Sequence, residues 1–211
     1  SRVFDGSIED EDDIETENTT IESVNAILNI ESLLDYALEF NFDKNYLDFH
    51  YRSKHPYLID FSNAAFYQSR LKPLPAKSSE KPIKFYQVNG IFEEHINEEE
   101  AEKVIEILKN IKPSENGNYP SIGIATFNIT QRNYIKRKIN HLINQEGNES
   151  FREQISALEQ AGLFIKNLEN IQGDERDTII FSIGYGKDSN GLMSMNFGPL
   201  SRDGGYRRLN V

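Results

Sequence analysis

The sequence predicts an α/β fold, a mostly parallel sheet with helices on both faces. Three observations predict it. Short apolar runs of strand length fall at Ile83–Val88, Ser121–Thr126, Gly162–Leu168 and Thr178–Ile183. Between them, two stretches carry apolar residues at helical spacing. Strand and helix patterns alternate, as parallel strands joined by crossover helices require. In such sheets ligands are expected at the carboxyl ends of the strands.

The elements follow in chain order. Residues 6–20 are acidic and nearly free of large apolar side chains, which predicts a solvated, mobile segment. Ile30, Leu33, Leu34, Ala37 and Leu38 stand at i, i+3, i+4, i+7 and i+8, the face of an amphipathic helix. Leu47-Asp48-Phe49 reads as a short strand. Ser53 is placed to cap a helix reaching about Phe66, with Pro56 in its first turn. Pro73, Pro75 and Lys77-Ser78-Ser79 mark a loop. After the strand at Ile83–Val88, Asn97-x-x-Glu100 has the form of a capping box. Ala101, Val104, Ile105, Leu108 and Ile111 line one face of the helix behind it, and Pro113 stops that helix. A buried strand at Ser121–Thr126 leads to a second such box, Asn128-x-x-Gln131. Its helix turns Ile135, Ile139, Leu142 and Ile143 inward and ends by Gly147. Two further strands, Gly162–Leu168 and Thr178–Ile183, complete the pattern. No internal repeat is present.

Composition narrows the chemistry. With no Cys among 211 residues, a disulfide scaffold, a thiolate zinc site and a Cys nucleophile are excluded. No apolar run approaches the ~20 residues of a membrane span. The net charge of −11 is uneven: eight acidic residues fall within residues 1–20, against Arg2 alone. Without that stretch the acidity weighs less against a nucleic-acid partner. Ser1-Arg2-Val3-Phe4 resembles neither a signal peptide nor a natural start, so a cut fragment is expected.

No G-x-x-x-x-G-K-[ST] phosphate loop and no H-E-x-x-H occurs. His50 and His55 are five apart, a poor metal pair on a helix. Asp174-Glu175-Arg176-Asp177 has the letters of a magnesium-binding acidic box, but its apolar strand follows the acids instead of preceding them. Three clusters remain. Tyr51-Arg52 can stack an aromatic base and present a planar fork to phosphate, or can be a packed Tyr beside a surface ion pair. Gln172-Gly173-Asp174-Glu175 is a polar loop between apolar strands, or simply a turn. Thr126-Phe127-Asn128 with Gln131 opens a helix, where backbone N–H groups can hold a phosphate. Arg132, Lys136, Arg137 and Lys138 follow on that helix, as a basic face for nucleic acid or a merely solvated one.

In this order the segments resemble the second RecA-like motor domain of superfamily 1 helicases, closest to a branch of large predicted bacterial DNA helicases related to the nonsense-mediated-decay type. Leu47-Asp48-Phe49-His50-Tyr51-Arg52-Ser53-Lys54-His55-Pro56, followed by Phe61-Ser62-Asn63 and Phe66-Tyr67, resembles motif IV. Ile122-Gly123-Ile124-Ala125-Thr126-Phe127-Asn128 with Gln131 is similar to the family's G-V-x-T-x-x-x-x-Q segment. Asn170 to Asp177 and then Ile179-Ile180-Phe181-Ser182 resemble motif V. Arg207-Arg208-Leu209-Asn210-Val211 looks like the opening of motif VI. The resemblance covers about residues 28–211. It divides the chain into an acidic mobile segment (1–27), a helical lead-in with motif IV (28–82) and a RecA-like, P-loop NTPase-type core (83–211). That core is expected to break off within motif VI and to miss its last strand. The Ala-x-Thr-Arg-Ala-like run of motif VI lies past Val211, so Arg207 and Arg208 do not take its role.

The resemblance implies an ATP-dependent helicase or translocase (an ATP hydrolase) of which this chain is a part, inactive alone. ATP with Mg would bind between this domain and a first motor domain, which would carry the phosphate loop and the metal ligands. Tyr51 would stack on adenine, and Arg52 would be the catalytic group reaching the γ-phosphate. Glu175 would meet the ribose hydroxyls, with Gln172 and Gly173 shaping the loop. Thr126, Asn128 and Gln131 would contact single-stranded or partly duplex nucleic acid, DNA ahead of RNA. The implied setting is cytoplasmic, with no membrane. The fold alone also suits a non-catalytic doubly wound module that binds nucleotide or protein.

Overall fold

The computed structural model describes residues 33, 37, 42–43, 45–75, 81–202 and 205. The acidic segment, the Lys77-Ser78-Ser79 loop and Arg207 to Val211 lie outside the described residues. Of the helix expected on Ile30 to Leu38, Leu33 and Ala37 are helical, and the rest lies outside them too.

A parallel three-stranded sheet holds the centre, in the order β6 (Phe164–Asn167), β5 (Ile122–Thr126), β7 (Thr178–Ser182). In β5, Gly123 pairs with Phe164 on one side and with Ile179 on the other. Thr126 pairs with Asn167 and Ser182 at the far end. All five residues of β5 are buried, as a strand with a neighbour on each edge requires. Ile122 and Ile124, with Ile180 from β7, face a helical layer. Ala101, Val104, Ile105 and Leu108 reach it from α2 (Glu98–Asn110), Ile135 and Ile139 from α3 (Ile129–Asn144), and Phe151, Ile155 and Leu158 from α4 (Glu149–Gln160). The fold is therefore the expected α/β type, a RecA-like P-loop NTPase arrangement with helices flanking a mostly parallel sheet.

Each helix has a local cause. Asn97 caps α2, its Oδ1 accepting the Glu100 N–H at 3.0 Å, and Glu98, Glu99 and Glu100 favour the positive end of the helix dipole. Asn128 caps α3 in the same way, from the Gln131 N–H at 2.7 Å. That helix ends at Asn144, short of Gly147. The second helix of this crossover, α4, was not foreseen, although Phe151, Ile155 and Leu158 have helical spacing. Gln154 on α4 donates to the carbonyls of Leu108 and Ile111 at 2.9 and 2.8 Å, satisfying groups that α2 leaves open at its end.

Other expectations are corrected. Residues 83–88 form no strand; Ile83, Phe85 and Tyr86 are 61%, 82% and 50% exposed. Apolar and aromatic content makes a segment fit for a sheet but does not supply a neighbour to pair with. A hairpin of β3 (Phe92–Glu93) and β4 (Ile96–Asn97) follows instead. Its turn residues Glu94 and His95 both have positive φ, the backbone that a tight two-residue loop needs and that these side chains seldom adopt. Ser53 caps nothing. Its Oγ bonds His50 Nε2 at 2.7 Å, and α1 (Tyr57–Phe66) starts after Pro56. The strand expected at 47–49 is β1 (Phe49–His50), parallel to β2 (Lys72–Pro73). Asn63 makes that return possible, exchanging two 2.9 Å bonds with the Leu71 backbone. Among the described residues no helix is long and apolar enough to cross a membrane.

Gly123 marks a close approach. A Cβ there would stand 2.5 Å from Phe164 Cζ and 2.7 Å from Ile179 Cδ1. Gly123→Ala is expected to destabilise the fold by about 1–3 kcal/mol, as overpacking does. A urea midpoint lowered at constant slope is the expected reading. A wild-type midpoint would mean that both side chains step aside freely.

Candidate functional site

The sequence-predicted residues divide between the two ends of the sheet. The amino end is built around Asp177, the residue before β7. Its Oδ2 accepts the Ser121 N–H at 3.1 Å and the Ser121 hydroxyl at 2.8 Å, while its own N–H donates to Ser121 Oγ at 3.0 Å. These bonds tie the first residues of β5 and β7 together. Its Oδ1 accepts Lys54 Nζ at 3.2 Å, across 123 positions of sequence. This contact draws the Tyr51-Arg52 segment to the loop before β7. Tyr51 is 72% exposed and Arg52 is exposed too, with no ion pair or hydrogen bond among the described residues.

The loop at 172–177 sorts its side chains. Asp174 Oδ2 takes Lys166 Nζ at 2.6 Å. Arg176 donates to the Gly162 carbonyl at 2.7 Å and covers the Phe164 ring at 4.7 Å. Gly173 has φ +84°, which permits the turn between them. With Asp174 and Arg176 engaged inward and Asp177 bonded to Ser121, Gln172, Gly173 and Glu175 are left exposed without side-chain hydrogen bonds among the described residues. Glu175 has no side-chain partner among the described residues. These groups lie ahead of the strand, so the general expectation that ligands sit at the strands' carboxyl ends does not describe this loop.

The carboxyl end differs in kind. Thr126 is fully buried, its hydroxyl donating to the Asn128 carbonyl at 2.9 Å. Gln131 is fully buried as well. Its Oε1 accepts the Asn97 N–H at 2.9 Å and its Nε2 donates to the Asn97 carbonyl at 3.0 Å. Neither the Thr126 nor the Gln131 side chain reaches the surface. Asn128 is partly exposed, but its Nδ2 is buried and lacks a hydrogen-bond partner. An orphaned buried donor is costly, and no acceptor for it stands among the described residues. Glu100 binds Ser182 Oγ at 2.6 Å and the Gly184 N–H at 2.9 Å, so its carboxylate is committed inward rather than back to its own cap. Gly184 has φ +77°, and a Cβ there would stand 3.4 Å from that orphaned amide.

Of the basic residues on α3, Lys138 pairs with Glu102 at 2.7 Å, while Lys136 and Arg137 are exposed. A cleft of about 400 Å³ lies between the β3–β4 hairpin and residues 186–196, lined by Phe92, His95, Asp188 and Met193. None of the predicted residues lines it. Among the described residues no group of three or more His, Asp or Glu could hold a metal ion. Lys54, Ser121 and Asp177 are the residues that sequence reasoning missed. Lys54 and Asp177 lie inside quoted motifs, but nothing in the sequence pairs positions so distant.

Hydrogen bonds from Ser121, then Lys54, hold the Asp177 carboxyl below the usual aspartate range. A depressed acid contributes its stability above its unfolded pKa and loses it as pH falls through the folded value. The Lys54–Asp177 contact should therefore persist from neutral pH down past about 4. An NMR titration of the Asp177 carboxyl should have its midpoint below the ordinary one; a normal midpoint would contradict the network. Gln131→Met keeps the volume but leaves the Asn97 N–H and carbonyl unpaired. It should cost about 2–6 kcal/mol in chemical denaturation, and a cost under ~1 kcal/mol would show that water replaces the amide.

A family model described as an AAA domain matches residues 30–211. An uncharacterised ATP-dependent helicase of Mycoplasma pneumoniae is 34% identical over 215 residues, covering 100% of this chain and 18% of that protein. An uncharacterised ATP-dependent helicase of Mycoplasma genitalium is 34% identical over 191 residues, covering 90% of this chain and 17% of that protein. The chain spans less than a fifth of the length of either curated relative.

Proposed function

The chain belongs to the AAA domain family, and on that premise we propose that it is the second motor domain of an ATP-dependent, superfamily 1-type helicase or translocase. The relatives' names, as ATP-dependent helicases, support the class. The observation that supports the assignment of sides is the Lys54–Asp177 contact, which ties the segment carrying Tyr51-Arg52 to the loop carrying Gln172, Gly173 and Glu175.

On this reading ATP lies between the amino end of the sheet and the first motor domain. Tyr51 stacks on the base. Glu175 accepts hydrogen bonds from the ribose hydroxyls at a loop shaped by Gln172 and Gly173. Arg52 meets the γ-phosphate and stabilises the charge that develops there in the transition state. Magnesium, when bound with the nucleotide, neutralises phosphate charge; its ligands are assigned to the other motor domain. Arg52 gains its partner only when the domains close, so the nucleotide favours the closed state by that differential contact, and hydrolysis removes it.

The carboxyl end forms half of the track for single-stranded nucleic acid, with DNA preferred over RNA. The backbone N–H groups at the start of α3, where Asn128 is the cap, take phosphate oxygens. Thr126 and Gln131 position that corner from beneath. Such contacts hold the strand without reading its sequence.

Arg52→Ala in the full-length protein is expected to lower nucleic-acid-stimulated ATP turnover by about 10³-fold or more. Tyr51→Ala should mainly weaken nucleotide binding, by roughly 1–3 kcal/mol. Near-normal turnover in the Arg52 variant would refute the motor reading and favour a non-catalytic module of the same fold.

A further inference from the structure

We infer that Asp177 is a positioning residue for the Tyr51-Arg52 pair and acts through Lys54. The inference rests on the nucleotide-facing reading above and adds to it two residues that take no part in nucleotide contact. Asp177 is held by three bonds to Ser121, at the point where β5 and β7 begin. It therefore moves with the sheet. The segment at 45–75 is anchored differently. None of its residues is buried, α1 included, and its β1–β2 pair forms a ladder separate from the three-stranded sheet. An apolar interface does not set where this segment stands relative to the sheet, which leaves a larger share to polar contacts.

The geometry of the clasp is symmetrical. Lys54 stands two residues after Arg52, and Asp177 stands two residues after Glu175. Two residues of extended chain span about 7 Å at most. One ion pair of 3.2 Å thereby limits how far the backbones of Arg52 and Glu175 can separate. The two hydrogen bonds that Ser121 donates to Oδ2 keep the carboxylate ionised and oriented, with Oδ1 left for the lysine. Lys54 and Asp177 are both substantially exposed, with side chains 80% and 52% accessible, so the clasp orients the pair and adds little stability.

The test uses the full-length protein, with steady-state ATP turnover at saturating single-stranded oligonucleotide. Lys54→Met and Asp177→Asn are each expected to raise KM for ATP by about two- to fivefold, the range an exposed ion pair supports, with kcat nearly unchanged. The double variant should be no worse than either single one. Lys54→Arg should restore the wild-type KM, and melting temperatures should stay close to wild type. Arg52→Ala runs in parallel. If it abolishes turnover while the Lys54 and Asp177 variants keep a wild-type KM, or lower stability additively, the positioning role is overturned and the motor reading stands. If Arg52→Ala leaves turnover intact, both fall.

Discussion

The side-chain amide of Gln131 is the contact on which the arrangement of elements depends. It offers Asn97 both an acceptor and a donor, so the backbone at the end of β4 is completed by a helix of another part of the chain. Asn97 in turn caps α2 and donates to the Gly184 carbonyl at 3.2 Å. Glu100 closes the circuit onto Ser182 and Gly184. Two helix starts and one strand end are thereby fixed at the carboxyl end of the sheet. Buried polar networks of this kind specify geometry when satisfied and penalise any slip, because each lost partner leaves an uncompensated group in a dry interior. Beneath them the apolar cluster of Ile122, Ile124 and the three helices contributes most of the stabilisation but would tolerate small rotations.

The opposite end of the sheet follows another principle. There the contacts are exposed, charged and centred on Asp177, and they join a lightly anchored segment to a rigid one. A motor domain benefits from both kinds of construction. The carboxyl end must hold its backbone amides in one orientation if they are to grip a phosphate chain. On the proposed reading, the amino end lets Tyr51 and Arg52 engage and release as the first motor domain approaches. A parallel sheet joins the two because β5 and β7 run from Ser121 and Asp177 at one end to Thr126 and Ser182 at the other. The phosphate grip and the nucleotide pair on this reading are two ends of the same strands.

Much of the core was legible because local chemistry and tertiary structure agree there. The spacing of Ala101, Val104, Ile105 and Leu108 and the caps at Asn97 and Asn128 are local signals, and each was read correctly. Gln131 shows where local reading fails. In sequence it completes a capping box at a helix start, a place normally open to solvent. In the fold its side chain points into the network around Asn97, away from its own cap. Residues 83–88 fail in the reverse direction: they have strand-like content, but among the described residues no strand pairs with them. The helix Glu149–Gln160 is legible in the spacing of Phe151, Ile155 and Leu158, although its Asn148 start carries no side-chain cap to mark it.

Taken alone, the sequence determined which segments are strands and helices in the core, which residues cap them, and which polar clusters stand between apolar runs. Those properties depend on neighbours within a few positions, and so they are written locally. Tertiary structure decided which of the polar residues are available. It buried Thr126 and Gln131, turned Asp174 and Arg176 inward, left Glu175 facing out, and set Lys54 against Asp177. Burial and pairing depend on residues tens to more than a hundred positions away, brought together only when the strands align in register. No local pattern can carry that information.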